Sequence, residues 1–292
     1  MALLAQYVIG GLAAGGLYAL VALGIVLLYR TSRILNFAHG DLATFGTFIA
    51  FSLLVTYHSP FAIASAGALL ITGVIGAAFY FLILRPARDA SLLGKIVITL
   101  GFALLLQGTS TLLWGTDTKV LPFPLSDVRV YRLGGLVVSQ ISIGSFLIGL
   151  VLMGLVYVLV QRTKVGLAMR AVSQNLVAAQ ALGIPAKSIF ALTWGLASAL
   201  GATAGILLAP VALLDPSMML DPFLKGFSAA VLGGIDSPPG AVAGGLLLGV
   251  IEAVFAGYVS VRFKTTLAFL IIIAVLIVRP EGMLGREYKR RV

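Results

Sequence analysis

Long apolar runs, separated by short charged, proline-rich or glycine-rich stretches, dominate this sequence. A transmembrane helix needs about 20 mostly apolar residues, whereas strands of a membrane β-barrel have about 10 residues and alternate in polarity. The runs here are continuous, so the pattern predicts an all-α, polytopic membrane helical bundle of about eight or nine spans, some broken or short. The predicted spans cover residues 2–28, 34–57, 61–84, 96–114, 143–160, 188–208, 223–235, 241–258 and 265–278.

Composition narrows the class of protein further. The 292 residues are 60% hydrophobic and only 10% charged, and none is cysteine. Ordinary soluble domains carry roughly 25% charged residues, so a cytosolic enzyme is excluded. Without cysteine there is neither a disulfide scaffold nor a thiolate metal site. The basic residues that give the net charge of +10 lie between apolar runs. This is the arrangement that membrane insertion favours. We therefore expect contact with membrane lipid and not with nucleic acid.

Lysine and arginine residues in the loops set the predicted orientation. The loops after residues 84 and 160 and the C-terminal tail are basic and are predicted to be cytoplasmic. The loop 115–142 balances its basic residues with Asp117 and Asp127, and it is predicted to be external, with a small hairpin. Counting spans from these loops places the N-terminus outside. The basic residues of these two loops and the tail are Arg85, Arg88, Lys95, Arg162, Lys164, Arg170, Lys187, Arg279, Arg286, Lys289, Arg290 and Arg291, and the same counting places Arg30 and Arg33 inside.

Polar residues interrupt the apolar pattern at residues 36–41, where a span begins. His39 and Asp41 are costly in hydrocarbon unless they face protein, water or ligand, so one interpretation is a broken helix that lines a translocation path. Another is a helix start at the interface, in which Asn36 caps the helix and Asp41 lies near its positive end. The third is a catalytic or proton-relay pair of His39 and Asp41, although no nucleophile pattern accompanies them.

Glu252 is a carboxylate within an apolar run. In a membrane helix such a residue must be paired, protonated or facing water. The sequence allows two interpretations of Glu252: a structural pair with Lys225 or Arg262, or a role in transport.

Pairs of glycine four residues apart recur in the predicted spans, including Gly11 with Gly15 and Gly245 with Gly249. Small residues at this spacing let helix backbones approach closely in lipid. We expect tight helix packing at these positions, and the spacing alone does not separate a fixed interface from one that moves.

The segment 161–187, named the coupling segment from here on, is too long for a simple connection between two spans. Its apolar residues have helical spacing. We expect a short amphipathic helix with Arg170 exposed, which Gly183 ends as a C-cap and Pro185 stops from continuing. Its apolar face needs a partner, either lipid headgroups or another protein. The apolar residues recur three to five positions apart at Leu167, Ala171, Leu176, Ala179 and Leu182.

Several motifs resemble those of one transporter family. Residues 178–183, Ala-Ala-Gln-Ala-Leu-Gly, are similar to the end of the E-A-A-x-x-x-G loop of ABC importer permeases, with Val177 in place of the leading Glu. Residues 35–40, Leu-Asn-Phe-Ala-His-Gly, resemble the N-F-A-H-G signature of branched-chain amino-acid permeases of the LivH type. Shorter segments further along also resemble that family, so the resemblance covers essentially the whole chain.

The resemblance implies a single transmembrane permease domain over residues 1–292, in a subunit of an ATP-driven importer of the bacterial inner membrane. Its implied partners are a second permease, either a paralogue or another copy, two ATPase subunits and a periplasmic or extracellular solute-binding protein. It implies no catalytic residue, metal ligand or cofactor in this chain, since ATP and Mg would be used by the partner ATPases. The only Gly-Lys pair, Gly94-Lys95, lacks the remaining residues of a P-loop.

The resemblance also suggests roles for particular residues. The coupling segment would contact the ATPase through Arg170, Ala178, Ala179 and Gly183. The substrate path would hold Asn36, Phe37, His39, Asp41 and Glu252.

Branched-chain amino acids, or related small amides and acids such as urea, are the implied substrates, and alternating access is the expected mechanism. The alternative is a stand-alone ion-coupled secondary transporter with Asp41 or Glu252 as a proton or sodium site, and a third class is an intramembrane enzyme built on His39 and Asp41. The sequence leaves the exact substrate, the pairing of permeases and the span count open.

Overall fold

The computed structural model describes residues 2–87, 89–126, 128–133 and 135–285. Within these ranges the regular secondary structure is helical apart from one short hairpin. Two helices, α2 and α3, continue into π-helical turns, Ser52–Thr56 and Tyr80–Leu84. The helices are α1 (Ala2–Ser32), α2 (His39–Phe51), α3 (Phe61–Phe79), α4 (Leu92–Trp114), α5 (Gln140–Arg162), α6 (Lys164–Gln174), α7 (Leu176–Ala181), α8 (Ala186–Ala212), α9 (Leu220–Gly233), α10 (Pro238–Tyr258) and α11 (Lys264–Val278); the strands are β1 (Val130–Leu133) and β2 (Leu136–Ser139).

Each of the nine predicted spans coincides with a helix, which confirms the all-α membrane architecture. Among the described residues, seven helices are long and apolar enough to cross a membrane. The other two predicted spans are α9 and α11, with 14 and 15 residues; the sequence pattern anticipated a short segment at α9 but not at α11. Helix ends extend past the predicted limits where a cap is available: α4 begins at Leu92 because Ser91 Oγ accepts a hydrogen bond from Gly94 N at 3.1 Å.

The chain divides into two compact units that interleave along the sequence. The first unit comprises the described residues of Met1–Val26, Leu125–Leu150 and Asp221–Val292, and the second those of Leu27–Pro124 and Val151–Leu220. The prediction of one permease domain is not tested by this division and stays a prediction.

In the first unit, the N-terminal part of α1 packs against α10 through glycine. A Cβ atom on Gly11 would lie 2.7 Å from Gly249 O, and one on Gly15 would lie 2.7 Å from Gly245 O. Real Cβ atoms do not approach backbone so closely, so the two helices are in contact because these positions lack side chains. The predicted tight helix packing is confirmed for this pair of helices.

The predicted hairpin of the 115–142 loop is also present in the first unit. β1 and β2 pair antiparallel, with Val130 opposite Ser139 and Leu133 opposite Leu136. The side chain of Gln6 on α1 bonds both backbone groups of Val137, accepting from its N–H at 2.9 Å and donating to its carbonyl at 2.6 Å. The hairpin is therefore fixed to the first turns of α1.

The second unit is built around α8, which packs against α2 and α3. Trp194 on α8 is fully buried, and Phe79 stacks on Phe102 of α4 with ring centroids 3.9 Å apart. Gly46 on α2 permits the close approach, since a Cβ atom there would lie 2.6 Å from the Ala202 Cβ on α8. This core holds the start of α2 and the coupling segment in defined positions.

Candidate functional site

The polar segment 36–41 forms the entry into α2. Asn36 is buried, and its Oδ1 accepts a hydrogen bond from Ala38 N at 3.1 Å, while its carbonyl accepts one from His39 N at 3.3 Å. α2 begins at His39, and Ala38 holds the cap position without a side-chain bond. The geometry is that of a helix start, but the expectation that Asn36 caps the helix is wrong: it lies two residues before the cap position and closes a turn there.

The other predicted path residues of this segment differ in exposure. His39 is fully buried beside α8, where a Cβ atom on Gly201 would lie 3.2 Å from His39 Cε1. Phe37 is half-buried, and its N–H donates to Thr99 Oγ1 on α4 at 3.3 Å. Asp41 is half-buried in the first turn of α2, where the positive end of the helix favours a carboxylate. The structure thus brings Asn36, Phe37, His39 and Asp41 together, and their place on a substrate path stays a prediction.

Glu252 belongs to the first unit and lies in a buried ionic cluster. Its Oε1 lies 2.6 Å from Lys225 Nζ on α9 and 3.6 Å from Lys264 Nζ on α11. Lys225 Nζ also lies 2.7 Å from Asp221 Oδ2, one turn earlier on α9, and 5.5 Å from the centre of the Tyr18 ring on α1. Glu252 and Lys225 are only 3% and 5% exposed, so each neutralises the other in a setting where a lone charge is costly.

The predicted pairing of Glu252 with Lys225 is confirmed, and the alternative partner Arg262 is not needed. The sequence pattern missed Asp221, although this residue lies one turn before Lys225 on α9. It missed Tyr18 because this residue reaches the cluster from a separate helix, α1. Thr265 on α11 donates a hydrogen bond to Asp221 Oδ1 at 2.7 Å. The cluster therefore ties α9, α10 and α11 together by polar contacts.

The coupling segment forms two helices and not the single helix expected. Asn175 separates α6 from α7 with extended backbone angles, φ −153° and ψ 101°. Its Oδ1 accepts a hydrogen bond from Ala178 N at 3.0 Å, so Asn175 is the N-cap of α7. An asparagine side chain competes with the helical backbone in this way, and the new helix that it starts turns the chain away from the line of α6.

The apolar face expected for this segment is mostly left exposed by the chain itself, with Ala179 as the exception. Met169, Val172 and Ala179 pack inward, whereas Leu167 is 59% exposed. The exposed apolar residues of α7 and its end, Leu176, Val177 and Leu182, are 40%, 76% and 83% exposed. Exposed apolar surface of this kind on a folded segment marks an interaction site.

The four predicted ATPase-contact residues have different environments. Ala178 and Gly183 are exposed and Ala179 is buried. Arg170 is half-buried and not exposed as expected, since its Nη1 donates to the carbonyl oxygen of Gln161 at 3.2 Å and to the Gln161 side chain. Gly183 has φ +79° and its N–H donates to Gln180 O at 3.0 Å, so it ends α7 as expected, although the C-cap position itself is held by the preceding Leu182.

No cluster of three or more His, Asp or Glu side chains that could hold a metal ion is found within the described ranges. The absence of catalytic and cofactor-binding residues in this chain stays a prediction.

Comparison with known proteins identifies the fold and the family. The sequence matches the family described as "Branched-chain amino acid transport system / permease component" over residues 7–277. It is 33% identical to the high-affinity branched-chain amino acid transport system permease protein BraD of Pseudomonas aeruginosa, with 98% of this chain and 97% of that protein covered. It is 30% identical to the corresponding permease protein LivH of Escherichia coli K12, with the same coverage.

A solved structure titled "PsaBC from Streptococcus pneumoniae in complex with Fab" has a similar fold. The TM-score is 0.51 at 14% sequence identity, and the match covers 94% of this chain and 91% of that one. At this identity the likeness concerns the fold alone. The apolar helices and the sequence relatives together make this a multi-pass membrane protein and a non-enzymatic subunit of a transport system. The chain belongs to the family of branched-chain amino acid transport system permease components.

Proposed function

We propose that this chain is the membrane permease subunit of an ATP-binding-cassette importer in the bacterial inner membrane. It pairs with a second permease, two ATPase subunits and an external solute-binding protein. The substrates are branched-chain amino acids, as the printed names of its relatives say of those proteins, or related small amides and acids such as urea. ATP and Mg act at the partner ATPases.

The observation that carries this proposal is the exposed apolar surface of α7. Val177 and Leu182 are 76% and 83% exposed, although α7 has a defined start at its N-cap Asn175 and a defined end at the left-handed Gly183. A rigid helix with unburied aliphatic side chains is suited to fit a cleft on another protein. In this role α7 receives the movement of the ATPase when ATP binds.

Coupling also requires that movement of α7 reaches the spans. α7 packs on α8 through Ala179, and the Arg170–Gln161 contact holds α6 against the end of α5. A displacement of α7 is therefore transmitted to packed helices of the second unit. Alternating access follows if ATP favours one packing of these helices over the other.

The alternative, an ion-coupled transporter that works alone, needs a carboxylate able to take up a proton or sodium ion. Glu252 is poorly suited to this, since Lys225 lies 2.6 Å from it and Lys264 lies 3.6 Å from it. Asp41 is the remaining candidate for such a site, and it is half-buried.

Reconstitution into liposomes with all co-purifying subunits separates these functions. We expect uptake of labelled leucine that needs ATP and the solute-binding protein, and that persists when ion gradients are collapsed. If unlabelled valine and isoleucine reduce leucine uptake and urea does not, the substrates are branched-chain amino acids. Uptake driven by a proton or sodium gradient without ATP would refute the importer and favour the ion-coupled transporter.

A further inference from the structure

A large cavity opens in the second unit at the ends of several predicted spans. Its volume is about 840 Å³, and it is lined by the end of α3, the turn that follows, and the first turns of α4 and α8. Leu84 is the last residue of the span 61–84, and Leu92 is the first of the span 92–114. The cavity therefore lies at the depth of the lipid headgroups, on the side that the loop charges predict to be cytoplasmic.

The charged side chains of the cavity are mostly cationic. Arg85, Lys95 and Lys187 line it, together with a single carboxylate, Asp89. Among the residues that the structure describes, none of these three cations forms a salt bridge, and Arg85 lies over the Phe81 ring at 5.8 Å. Three cations that converge on one cavity favour a ligand with negative charge.

Exposed leucine residues lie close in sequence to residues that line the cavity. Leu82 is 75% exposed, and Leu92 and Leu93 are 64% and 73% exposed. The cavity itself also has aromatic walls, from Tyr80 and Phe190. A ligand that suits both features has an anionic head and aliphatic chains, and basic pockets of this kind between membrane helices bind anionic lipid headgroups.

We propose that this cavity binds the phosphate headgroup of an anionic phospholipid. Arg85, Lys95 and Lys187 hold the phosphate, and the acyl chains run along the exposed leucines of α3 and α4. Leu176 and Gln180 of α7 form another part of the wall, so the bound headgroup touches the coupling segment. The binding itself requires only that the chain spans a membrane, and its failure would leave the proposed transport function untouched.

The test measures lipid retention by the full chain, purified in mild detergent with its co-purifying subunits. Native mass spectrometry is used to titrate phosphatidylglycerol and phosphatidylcholine onto delipidated protein. We expect preference for phosphatidylglycerol, with a loss of affinity of roughly fivefold for each neutralised cation and on the order of a hundredfold for the Arg85→Gln/Lys95→Gln/Lys187→Gln variant. The charge-preserving Lys95→Arg/Lys187→Arg variant retains the lipid.

The matched control is Arg162→Gln/Lys164→Gln, which removes two exposed cations on the same predicted side, outside the cavity. It is expected to bind phosphatidylglycerol as the unchanged protein does. Equal loss in this control, equal binding of the two lipids, or full retention by the triple variant would overturn the proposal. Displacement of the lipid by soluble glycerol phosphate would also overturn it, because the site would then take a free phosphate compound and not a membrane lipid.

Discussion

Lys225 and Glu252 form a salt bridge of 2.6 Å between α9 and α10, and both side chains are almost completely buried. A pair of this kind need not stabilise a protein more than apolar residues would, but removal of one partner leaves an uncompensated buried charge. The contact between α9 and α10 therefore requires both residues. It also explains how a short helix such as α9 keeps a defined position.

Removal of Lys225 should destabilise the protein strongly. Lys225→Met leaves Lys264, at 3.6 Å and 39% exposed, as the remaining cation beside Glu252 among the described residues, and we expect a loss of about 3–5 kcal/mol in the free energy of unfolding. Lys264→Met is the control and should cost about 1 kcal/mol or less. Thermal unfolding in detergent compares the two variants, and equal stability would contradict the assigned role of the buried pair.

Two neighbouring glycines on α1 offer a direct test of the helix interface. Gly11→Ala places a Cβ atom 2.7 Å from Gly249 O and should separate α1 from α10, whereas nothing lies within 4 Å of a Cβ atom on Gly10. We expect Gly11→Ala to lower the melting temperature. Gly10→Ala should leave it unchanged or raise it, because alanine favours helix by about 1 kcal/mol over glycine.

If both alanine variants melt at the temperature of the unchanged protein, the close approach of α1 and α10 is wrong. If Gly10→Ala is the more damaging of the two, the rotation of α1 about its own axis is wrong.

Thr99 should fix the entry into α2. Its Oγ1 accepts a hydrogen bond from Phe37 N at 3.3 Å, and Thr99→Val removes the acceptor while it keeps the shape. We expect a loss of about 0.5–1.5 kcal/mol in stability and faster hydrogen exchange of the Phe37 amide. The control is Thr109→Val, because the Thr109 hydroxyl donates its hydrogen bond to Leu105 O on the same helix. This variant should leave the hydrogen exchange of the Phe37 amide unchanged. Equal exchange rates in the Thr99 and Thr109 variants would contradict the contact between Thr99 and Phe37.

The end of α7 should depend on the backbone conformation of Gly183. With φ +79° this position suits glycine or asparagine, whereas a β-branched residue is strained there. No atom lies within 4 Å of a Cβ atom at Gly183, so any effect of Gly183→Val comes from the backbone and not from a clash. We expect Gly183→Asn to retain substrate uptake and Gly183→Val to reduce it several-fold, and equal uptake by both would show that the turn is not required.

The helices of this chain could be predicted from the sequence because a continuous apolar run in a membrane protein has few other solutions. Helix ends were less predictable, since Ser91 starts α4 before its apolar run begins. Thr163 starts a separate helix, α6, directly after the end of α5. The break at Asn175 was missed because asparagine is tolerated on the exposed side of a helix and also starts helices well.

Burial in the coupling segment could not be predicted from spacing alone. Leu167 and Leu182 occur at helical intervals, which is the pattern of a buried face, yet both are exposed. Periodicity reports that a face is apolar, and it does not report whether the same chain or another protein covers that face. For Glu252 the partner Lys225 was within reach of sequence reasoning because few cations lie near an apolar run. The i,i+4 spacing of Asp221 and Lys225 was a further signal that the sequence offered, whereas Tyr18 depends on how separate helices meet.

The central claim, that the coupling segment binds an ATPase subunit, is tested most directly by co-purification. The tagged chain is extracted gently from native membranes, and the proteins recovered with it are identified by mass spectrometry. Val177→Asp and Leu182→Asp are compared with Val128→Asp, which introduces the same charge at an equally exposed position, 82%, in the loop 115–142. We predict that a protein with a P-loop is recovered with the unchanged chain and with Val128→Asp, and that it is lost with Val177→Asp and with Leu182→Asp. If no such protein is recovered with the unchanged chain, or if its recovery is undiminished with all three variants, the account is contradicted.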